Sequence, residues 1–293
     1  MNRNTLLLIV LGAAIAVAPV LIALSLVSSS RSGKSEITTA NTVAAVIDAF
    51  KEAGFDPESV LKPGEPELPP VFLASLPDDL KSVKNLDRRK ALFVSIVLPH
   101  VLRVNDRIGE DRARLIRLQK ALSAKRTLRT RDRKWLAQLA KTYRTRPMEM
   151  EKLLRRVDVV PPRLTIAQAV QESGWGTSRF ARLGNALFGQ HAPVGGSAIA
   201  AKGDVTVALK AFETIQRSVL GYMRNLNTHR AYRQFRTARA EMRETGQPID
   251  AVALAASLGR YSEEGTIYVE RLRIIIALPE IAAAKGARLA EEQ

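Results

Sequence analysis

The sequence contains no cysteine and only three histidines among its 293 residues. The absence of cysteine excludes disulfides, thiolate nucleophiles and cysteine-ligated zinc, so the core must be stable without covalent cross-links. His191 and His229 are isolated from other metal-ligating side chains in the sequence, and no phosphate-binding loop or nucleophile elbow is present. The sequence therefore predicts neither a metal site nor a cofactor.

Charge is also absent from residues 6–27, a run of 22 residues near the N-terminus. At about 1.5 Å per helical residue, such a run can span a bilayer whose hydrocarbon core is roughly 30 Å thick. A secretory signal peptide has a shorter apolar core of about 7–15 residues and a small-residue cleavage site, for which only the serines at 28–30 qualify. We therefore expect an uncleaved transmembrane anchor, with a cleaved signal peptide as the alternative. Arg3 before the run and Arg31 and Lys34 after it do not decide its orientation.

The rest of the chain has mainly helical patterning. Apolar residues at helical spacing predict a helix that Asp87 caps and Pro99 bends, and a second helix over residues 133–144. Residues 191–203 are rich in Gly, Ala and Ser and cannot form a long helix. Residues 205–212 begin with β-branched side chains and alternate in part, which predicts a strand. We expect an α-rich fold with one small β-hairpin.

A chemically distinctive motif occupies residues 168–178, Gln-Ala-Val-Gln-Glu-Ser-Gly-Trp-Gly-Thr-Ser. The two prolines at 161–162 suit the first turn of a helix. Gly174 and Gly176 are poor helix formers, so the helix should end just after Glu172. The motif therefore predicts a carboxylate in the last turn of a helix.

This position should raise the pKa of Glu172, because the C-terminal end of a helix carries partial negative charge. An apolar wall from Trp175 or Phe188 would act in the same direction. A carboxyl that keeps its proton near neutral pH can protonate a leaving oxygen as a general acid. The alternative is an ordinary solvated Glu at a helix end.

Together with residues 184–190, Gly-Asn-Ala-Leu-Phe-Gly-Gln, the motif resembles the signature of the peptidoglycan N-acetylglucosaminidases of glycoside hydrolase family 73. More narrowly, it resembles the Bax-type branch of Gram-negative bacteria. The resemblance runs from about residue 70 to about residue 279 and includes residues 76–80, 225–229 and 258–263. It implies a lysozyme-like α+β fold and endo-β-N-acetylglucosaminidase activity on peptidoglycan glycan strands. With the predicted anchor, it implies a single-pass protein of the inner membrane whose catalytic domain lies in the periplasm.

The resemblance implies catalytic roles for Glu172 and Tyr261. The family also places a carboxylate in the hairpin lobe, but residues 190–212 contain no Glu, and Asp204 is their only acid. The second carboxylate is therefore Asp204, Glu263 or absent. If it is absent, the acetamide of the substrate can attack the anomeric carbon, with Tyr261 orienting that group or stabilising the developing charge. The candidate substrate-binding residues are Gln168, Ser173, Trp175, Asn185, Phe188 and Gln190.

A strongly basic segment covers residues 103–156, where eighteen Lys and Arg accompany six Asp and Glu, a net charge of +12 out of +16 for the chain. One interpretation is a solvated helical face whose cationic side chains lie over apolar neighbours. A second is a surface that attracts anionic lipid or the carboxylates of peptidoglycan stem peptides. A nucleic-acid surface is the third, but the segment lacks interleaved Phe or Tyr and any recognised nucleic-acid module, so we expect no nucleic-acid partner.

These observations predict an α+β, mostly α, lysozyme-like fold with a small β-hairpin lobe, preceded by one N-terminal transmembrane helix. The predicted regions are an anchor (1–30), a tether and Pro-rich linker (31–69), a basic helical region (70–158), the glucosaminidase catalytic domain (159–282) and a tail (283–293). Two other functions stay open. A lytic transglycosylase acts on the same strands with a single carboxylate, and a catalytically silent glycan-binding envelope protein needs none. The sequence does not predict an oligomeric state.

Overall fold

The computed structural model describes residues 37–62, 64–191, 198–201 and 204–291. The predicted anchor at residues 6–27 lies outside these ranges. Within them, no helix combines the length and the apolar character that crossing a membrane requires. The described residues form one compact, mostly helical unit with three two-stranded sheets.

The described residues contain these elements, in chain order. The helices are α1 (Val43–Glu52), α2 (Leu86–Ser123), α3 (Thr130–Thr142), α4 (Met150–Arg156), α5 (Pro162–Ser173), α6 (Arg179–Gly184), α7 (Ile215–Thr228), α8 (Arg233–Glu244), α9 (Ala251–Ala255), α10 (Thr266–Ala277) and α11 (Pro279–Ala282). The strands are β1 (Ile37–Thr38), β2 (Glu67–Leu68), β3 (Phe72–Leu73), β4 (Ala198–Ala201), β5 (Asp204–Lys210) and β6 (Arg288–Leu289). Short 3₁₀ turns lie at Pro57–Leu61, Leu80–Ser82, Arg230–Tyr232, Ala256–Leu258 and Ala283–Lys285.

The long helix α2 runs through the core. Asn85 caps it by accepting a hydrogen bond from the backbone N–H of Arg88 at 3.0 Å, whereas the predicted cap, Asp87, lies in the first turn. The 38 residues of α2 correspond to a length of about 57 Å. Residues 91–102 are buried without exception, so this part of the helix is packed on all sides, with α4, α5 and α7 among its neighbours. Pro99 lies within α2 and does not end it.

The outer part of α2 and the helix α3 carry most of the basic segment. Arg114 of α2 pairs with Asp132 of α3 at 2.7 Å, and its guanidinium lies 4.2 Å from the ring centroid of Trp135. We name residues 107–144 the basic arm. Its exposed cations are Arg107, Arg117, Lys120, Lys125, Arg126, Arg129, Arg131, Arg133, Lys134, Lys141 and Arg144.

Two short parallel sheets attach both ends of the described chain to the core. Strand β1 pairs with β3, and β2 pairs with β6 near the C-terminus. Phe50, Leu68 and Ala284 are fully buried in the same core. Described parts of the predicted linker and of the predicted tail thus pack into this core, and the predicted domain boundaries stay a prediction. Apolar side chains of the predicted linker pack against distant parts of the fold.

The predicted hairpin is present, since β4 and β5 pair antiparallel with Ala198 opposite Lys210. A mostly helical α+β architecture is thereby confirmed. The lysozyme-like character of the fold stays a prediction.

A buried ion cluster lies where the two large predicted regions meet. Asp158 is 2% exposed and lies 3.4 Å from Arg112 of α2, 3.8 Å from Arg239 and 2.9 Å from Arg243 of α8. Arg239 is fully buried and also donates a hydrogen bond to the backbone oxygen of Asp158 at 3.1 Å. Residues on both sides of the predicted boundary therefore share one core.

Candidate active site

Helix α5 places Glu172 where the sequence predicts it. Pro161 directly precedes the helix, Pro162 is its first residue, and Gly174 follows its end in the left-handed conformation with φ of 58°. The N–H of Gly174 donates to the oxygen of Val170, which satisfies one of the free carbonyls at this end. Glu172 is thus the last residue but one of α5, as predicted.

The residues after Glu172 form a tight turn against α2. The hydroxyl of Ser173 donates to the oxygen of Ala169 and accepts a hydrogen bond from the N–H of Gly176 at 2.9 Å. Gly176 has φ of 76°, and a Cβ there would lie 2.9 Å from the ring of Phe93. Ser173, predicted to bind substrate, is fully buried and instead builds the turn.

Trp175 is partly buried beside this turn. Its ring meets Phe93 edge-on with centroids 5.9 Å apart, and the ammonium of Lys90 lies 5.6 Å from its centroid. The remaining exposed part of the indole is available to a ligand.

The carboxyl of Glu172 is partly buried among three neighbours. It accepts a hydrogen bond from the hydroxyl of Tyr268 and lies near the charge of Glu264. Gly189 approaches it so closely that a Cβ on this glycine would lie 2.5 Å from Oε2. Burial raises the pKa of Glu172, the hydrogen bond from Tyr268 lowers it, and the charge of Glu264 raises it further. The net direction is the one the sequence predicts, with burial as the largest cause.

Four of the five tyrosines in the chain surround this carboxyl. The ring of Tyr261 stacks on Tyr268 at 5.5 Å between centroids and lies 5.7 Å from Tyr232 and 6.5 Å from Tyr222. The hydroxyl of Tyr261 donates to the backbone oxygen of Phe188 at 2.7 Å. Only Tyr261 was a predicted site residue. The rarity of tyrosine in this sequence is the signal that could have pointed to the other three.

Two of the predicted substrate-binding residues are buried and contact tyrosines that surround Glu172. Gln168 is fully buried and hydrogen-bonds to Tyr222 and Tyr268. Phe188 is 1% exposed and stacks on Tyr222 with centroids 4.1 Å apart. Neither side chain is therefore exposed enough to contact a ligand directly.

Asn185 and Gln190 link the segment around Phe188 to its neighbours. Asn185 has φ of 49°, and its Nδ2 donates to the oxygen of Phe212 at 3.1 Å. Gln190 donates from Nε2 to the oxygen of Gly221 in α7 at 3.3 Å. These contacts fix the loop that carries Gly189 against Glu172.

Of the two predicted candidates for the second carboxylate, the structure describes the side chain of only one. Asp204 is the first residue of β5, but its side chain lies outside the described part of the structure. Glu263 is exposed, and it is the next residue, Glu264, whose charge acts on Glu172. Glu264 is itself held by Arg271, which contacts both of its oxygens at 2.9 Å. Sequence reasoning missed Glu264 because a turn can present either of two adjacent residues to a site.

Three comparisons show which known proteins this chain resembles. The family model described as Glucosaminidase, mannosyl-glycoprotein endo-beta-N-acetylglucosaminidase, matches residues 149–277. Protein bax of Escherichia coli (strain K12) is 36% identical over 201 residues, which cover 67% of this chain and 71% of that protein. The catalytic domain of the autolysin Auto from Listeria monocytogenes, a solved structure, matches 57% of this chain and 95% of its own, with 16% identity and a TM-score of 0.33. The family match and the curated relative together show that the chain belongs to the glucosaminidase family, glycoside hydrolase family 73, in its Bax-type branch, and is a peptidoglycan glycosidase.

Proposed function

We propose that the protein is an endo-β-N-acetylglucosaminidase that cleaves β-1,4 bonds of N-acetylglucosamine in peptidoglycan glycan strands, with Glu172 as the general acid. The observation that carries this proposal is the setting of Glu172. It is a partly buried carboxyl at a helix end, its pKa is raised by burial, and four tyrosines surround it.

In this proposal Glu172 delivers its proton to the glycosidic oxygen as the bond to the anomeric carbon breaks. Burial favours the neutral carboxyl before the reaction. The hydrogen bond from Tyr268 and the close approach of Gly189 restrict the movement of the carboxyl, so the proton is held in a defined direction.

Tyr261 is proposed to orient the N-acetyl group of the substrate. Its hydroxyl proton is already donated to the oxygen of Phe188, so toward a substrate the phenol oxygen can only accept. Accepting the N–H of the acetamide would increase electron density on the acetamide oxygen, which can then attack the anomeric carbon. This substrate-assisted route needs no second carboxylate.

A second protein carboxylate stays possible at Asp204, Glu263 or Glu264. Substituting each singly by its amide, Asp204→Asn, Glu263→Gln and Glu264→Gln, separates the alternatives. A loss as large as that of Glu172→Gln identifies the second carboxylate, whereas near wild-type activity of all three supports the substrate-assisted route.

We also propose that residues 6–27 anchor the protein in the inner membrane and that the catalytic domain faces the periplasm. The uncharged run of 22 residues supports the anchor, and the location of peptidoglycan supports the orientation. The exposed cations of the basic arm support attraction to anionic groups of the cell envelope.

A lytic transglycosylase is the second candidate function. It is favoured by the finding that Glu172 is partly buried while Glu263 and Glu264 are exposed, because such enzymes need one acid. Mass spectrometry of the products distinguishes the two. Hydrolysis leaves a reducing N-acetylglucosamine end, and a transglycosylase leaves an anhydro-muramyl end.

The test is digestion of purified sacculi by the wild-type chain and by Glu172→Gln. Glutamine keeps the shape of the side chain but cannot deliver a proton, so turnover should fall by about 10²–10⁴. Glu244→Gln, an exposed residue at the end of α8, is the matched control and should retain wild-type turnover. If Glu172→Gln stays active, the proposed mechanism is excluded. If the wild-type chain binds sacculi without releasing products, a silent glycan-binding protein replaces it.

A further inference from the structure

A chain of buried hydrogen bonds leads to the carboxyl of Glu172. Gln168 lies one helical turn before Glu172 on α5, so both side chains project from the same face. The hydroxyl of Tyr222 on α7 donates to Oε1 of Gln168 at 2.6 Å. Nε2 of Gln168 donates to the hydroxyl oxygen of Tyr268 on α10 at 2.8 Å. The Tyr268 hydroxyl then contacts Glu172.

The side-chain amide of Gln168 sets the direction of this series of hydrogen bonds. The carbonyl oxygen of Gln168 can only accept, and its NH₂ group can only donate. The oxygen of Tyr268 therefore receives a hydrogen bond from Gln168, and its own proton is free for the carboxyl of Glu172. All three donors point the same way, and hydrogen bonds aligned in series strengthen one another.

We propose that Tyr222, Gln168 and Tyr268 act as positioning residues that hold one oxygen of Glu172 as an acceptor, so that the proton of the acid is carried by the other oxygen, toward the substrate. This inference rests on the proposed role of Glu172 as general acid. None of the three residues needs to contact the glycan. Gln168 is fully buried, and so is Tyr222, which is consistent with a role exerted through Glu172.

The groups that face Glu172 determine the sign of the expected effect. Glu264, held by Arg271, is the neighbouring charge that raises the pKa of Glu172, and burial acts in the same direction. Tyr222, Tyr232, Tyr261 and Tyr268 all lie near enough to interact with this carboxyl, and each has a pKa raised above its ordinary value, so they stay neutral around pH 7. The hydrogen bond from Tyr268 is the contribution that lowers the pKa of Glu172.

The test is the pH profile of sacculus turnover by the full-length chain carrying Tyr268→Phe. Activity that needs protonated Glu172 declines as pH rises through the pKa of that group. Removing the Tyr268 hydroxyl removes the contribution that lowers this pKa, so the alkaline limb should move to higher pH. The kcat at the optimum should fall by about tenfold because the acid loses its orientation, while KM should change little.

Tyr222→Phe tests the hydrogen bond that lies farthest from Glu172 in this series. It weakens the polarisation of Gln168 without touching Glu172, so the limb should move in the same direction by a smaller amount. Tyr143→Phe removes the hydroxyl of a buried tyrosine outside the site and is the control that should keep the wild-type profile.

Two results would overturn the inference. One is a Tyr268→Phe enzyme whose activity falls equally at every pH with the alkaline limb unmoved, which indicates a merely structural role. The other is a changed KM with an unchanged kcat, which indicates direct glycan contact. If circular dichroism shows that Tyr268→Phe is unfolded, the profile of Tyr222→Phe decides by the same criteria. Glu172→Gln is measured in parallel: if it stays active, the proposed function fails, whereas an inactive Glu172→Gln beside an unmoved limb refutes only the positioning role.

Discussion

Replacing Gly189 by alanine should reduce catalysis far more than it reduces stability. A Cβ at this position would lie 2.5 Å from Oε2 of Glu172, whereas ordinary contact begins at 3.4 Å, so the carboxyl must retreat by the difference of 0.9 Å. Gly189 has φ of 58°, a left-handed conformation that costs a non-glycine residue roughly 1–2 kcal/mol. A displacement of about 1 Å in a catalytic group can reduce the rate by about 10²-fold.

Gly246→Ala is the matched control. Gly246 has φ of 69°, but a Cβ there meets no atom within 4 Å, so the substitution carries the same backbone strain without any contact at the site. Urea unfolding should show a loss of roughly 1–2 kcal/mol for both variants. Sacculus turnover should fall only in Gly189→Ala. If Gly189→Ala keeps wild-type kcat, or if Gly246→Ala loses as much activity, the close approach of Gly189 to Glu172 does not control the position of the acid.

Two further predictions concern the rest of the molecule. Asp158→Asn should lower the free energy of unfolding by about 3 kcal/mol in urea titrations, because it leaves the fully buried Arg239 without its counter-charge. Arg243→Gln, which removes the 41% exposed partner of Asp158, should cost under about 1 kcal/mol, and equal losses in the two variants would contradict this assignment. Binding to sacculi should weaken between low salt and about 0.3 M salt if it depends on the basic arm, since the Debye length is only about 10 Å at 0.1 M. Binding that does not change with salt in a pelleting assay would instead locate the interaction at the cleft.

Local sequence was sufficient to predict the position of Glu172. Prolines at the start of α5 and a glycine after its end act through the conformations of individual residues, so the helix limits follow from the chain itself. The β-branched residues of β5 predicted the hairpin for the same reason. The motif also indicated the family, because this spacing of Glu, Gly, Trp, Asn and Phe is specific to the family signature.

The roles of the other motif residues could not be predicted in this way. Gln168 and Phe188 carry groups suited to binding a glycan, yet both are buried, because α7 and α10 cover them with Tyr222 and Tyr268. The packing of the segment before α2 could not be predicted for the same reason. Its prolines fix the local backbone, whereas burial of Leu68 depends on partners more than two hundred positions away in the C-terminal strand β6.

The sequence by itself thus determined which carboxyl lies at the end of α5 and that the hairpin contains a strand, since both depend on backbone preferences over a few neighbouring residues. Only the tertiary structure decided what surrounds that carboxyl. The hydroxyl of Tyr268 and the charge of Glu264 come from the start of α10 and the turn before it, and the backbone of Gly189 comes from a loop more than seventy residues earlier. Their effects on Glu172 depend on distances of a few ångströms, and such distances are set by the packing of the whole core.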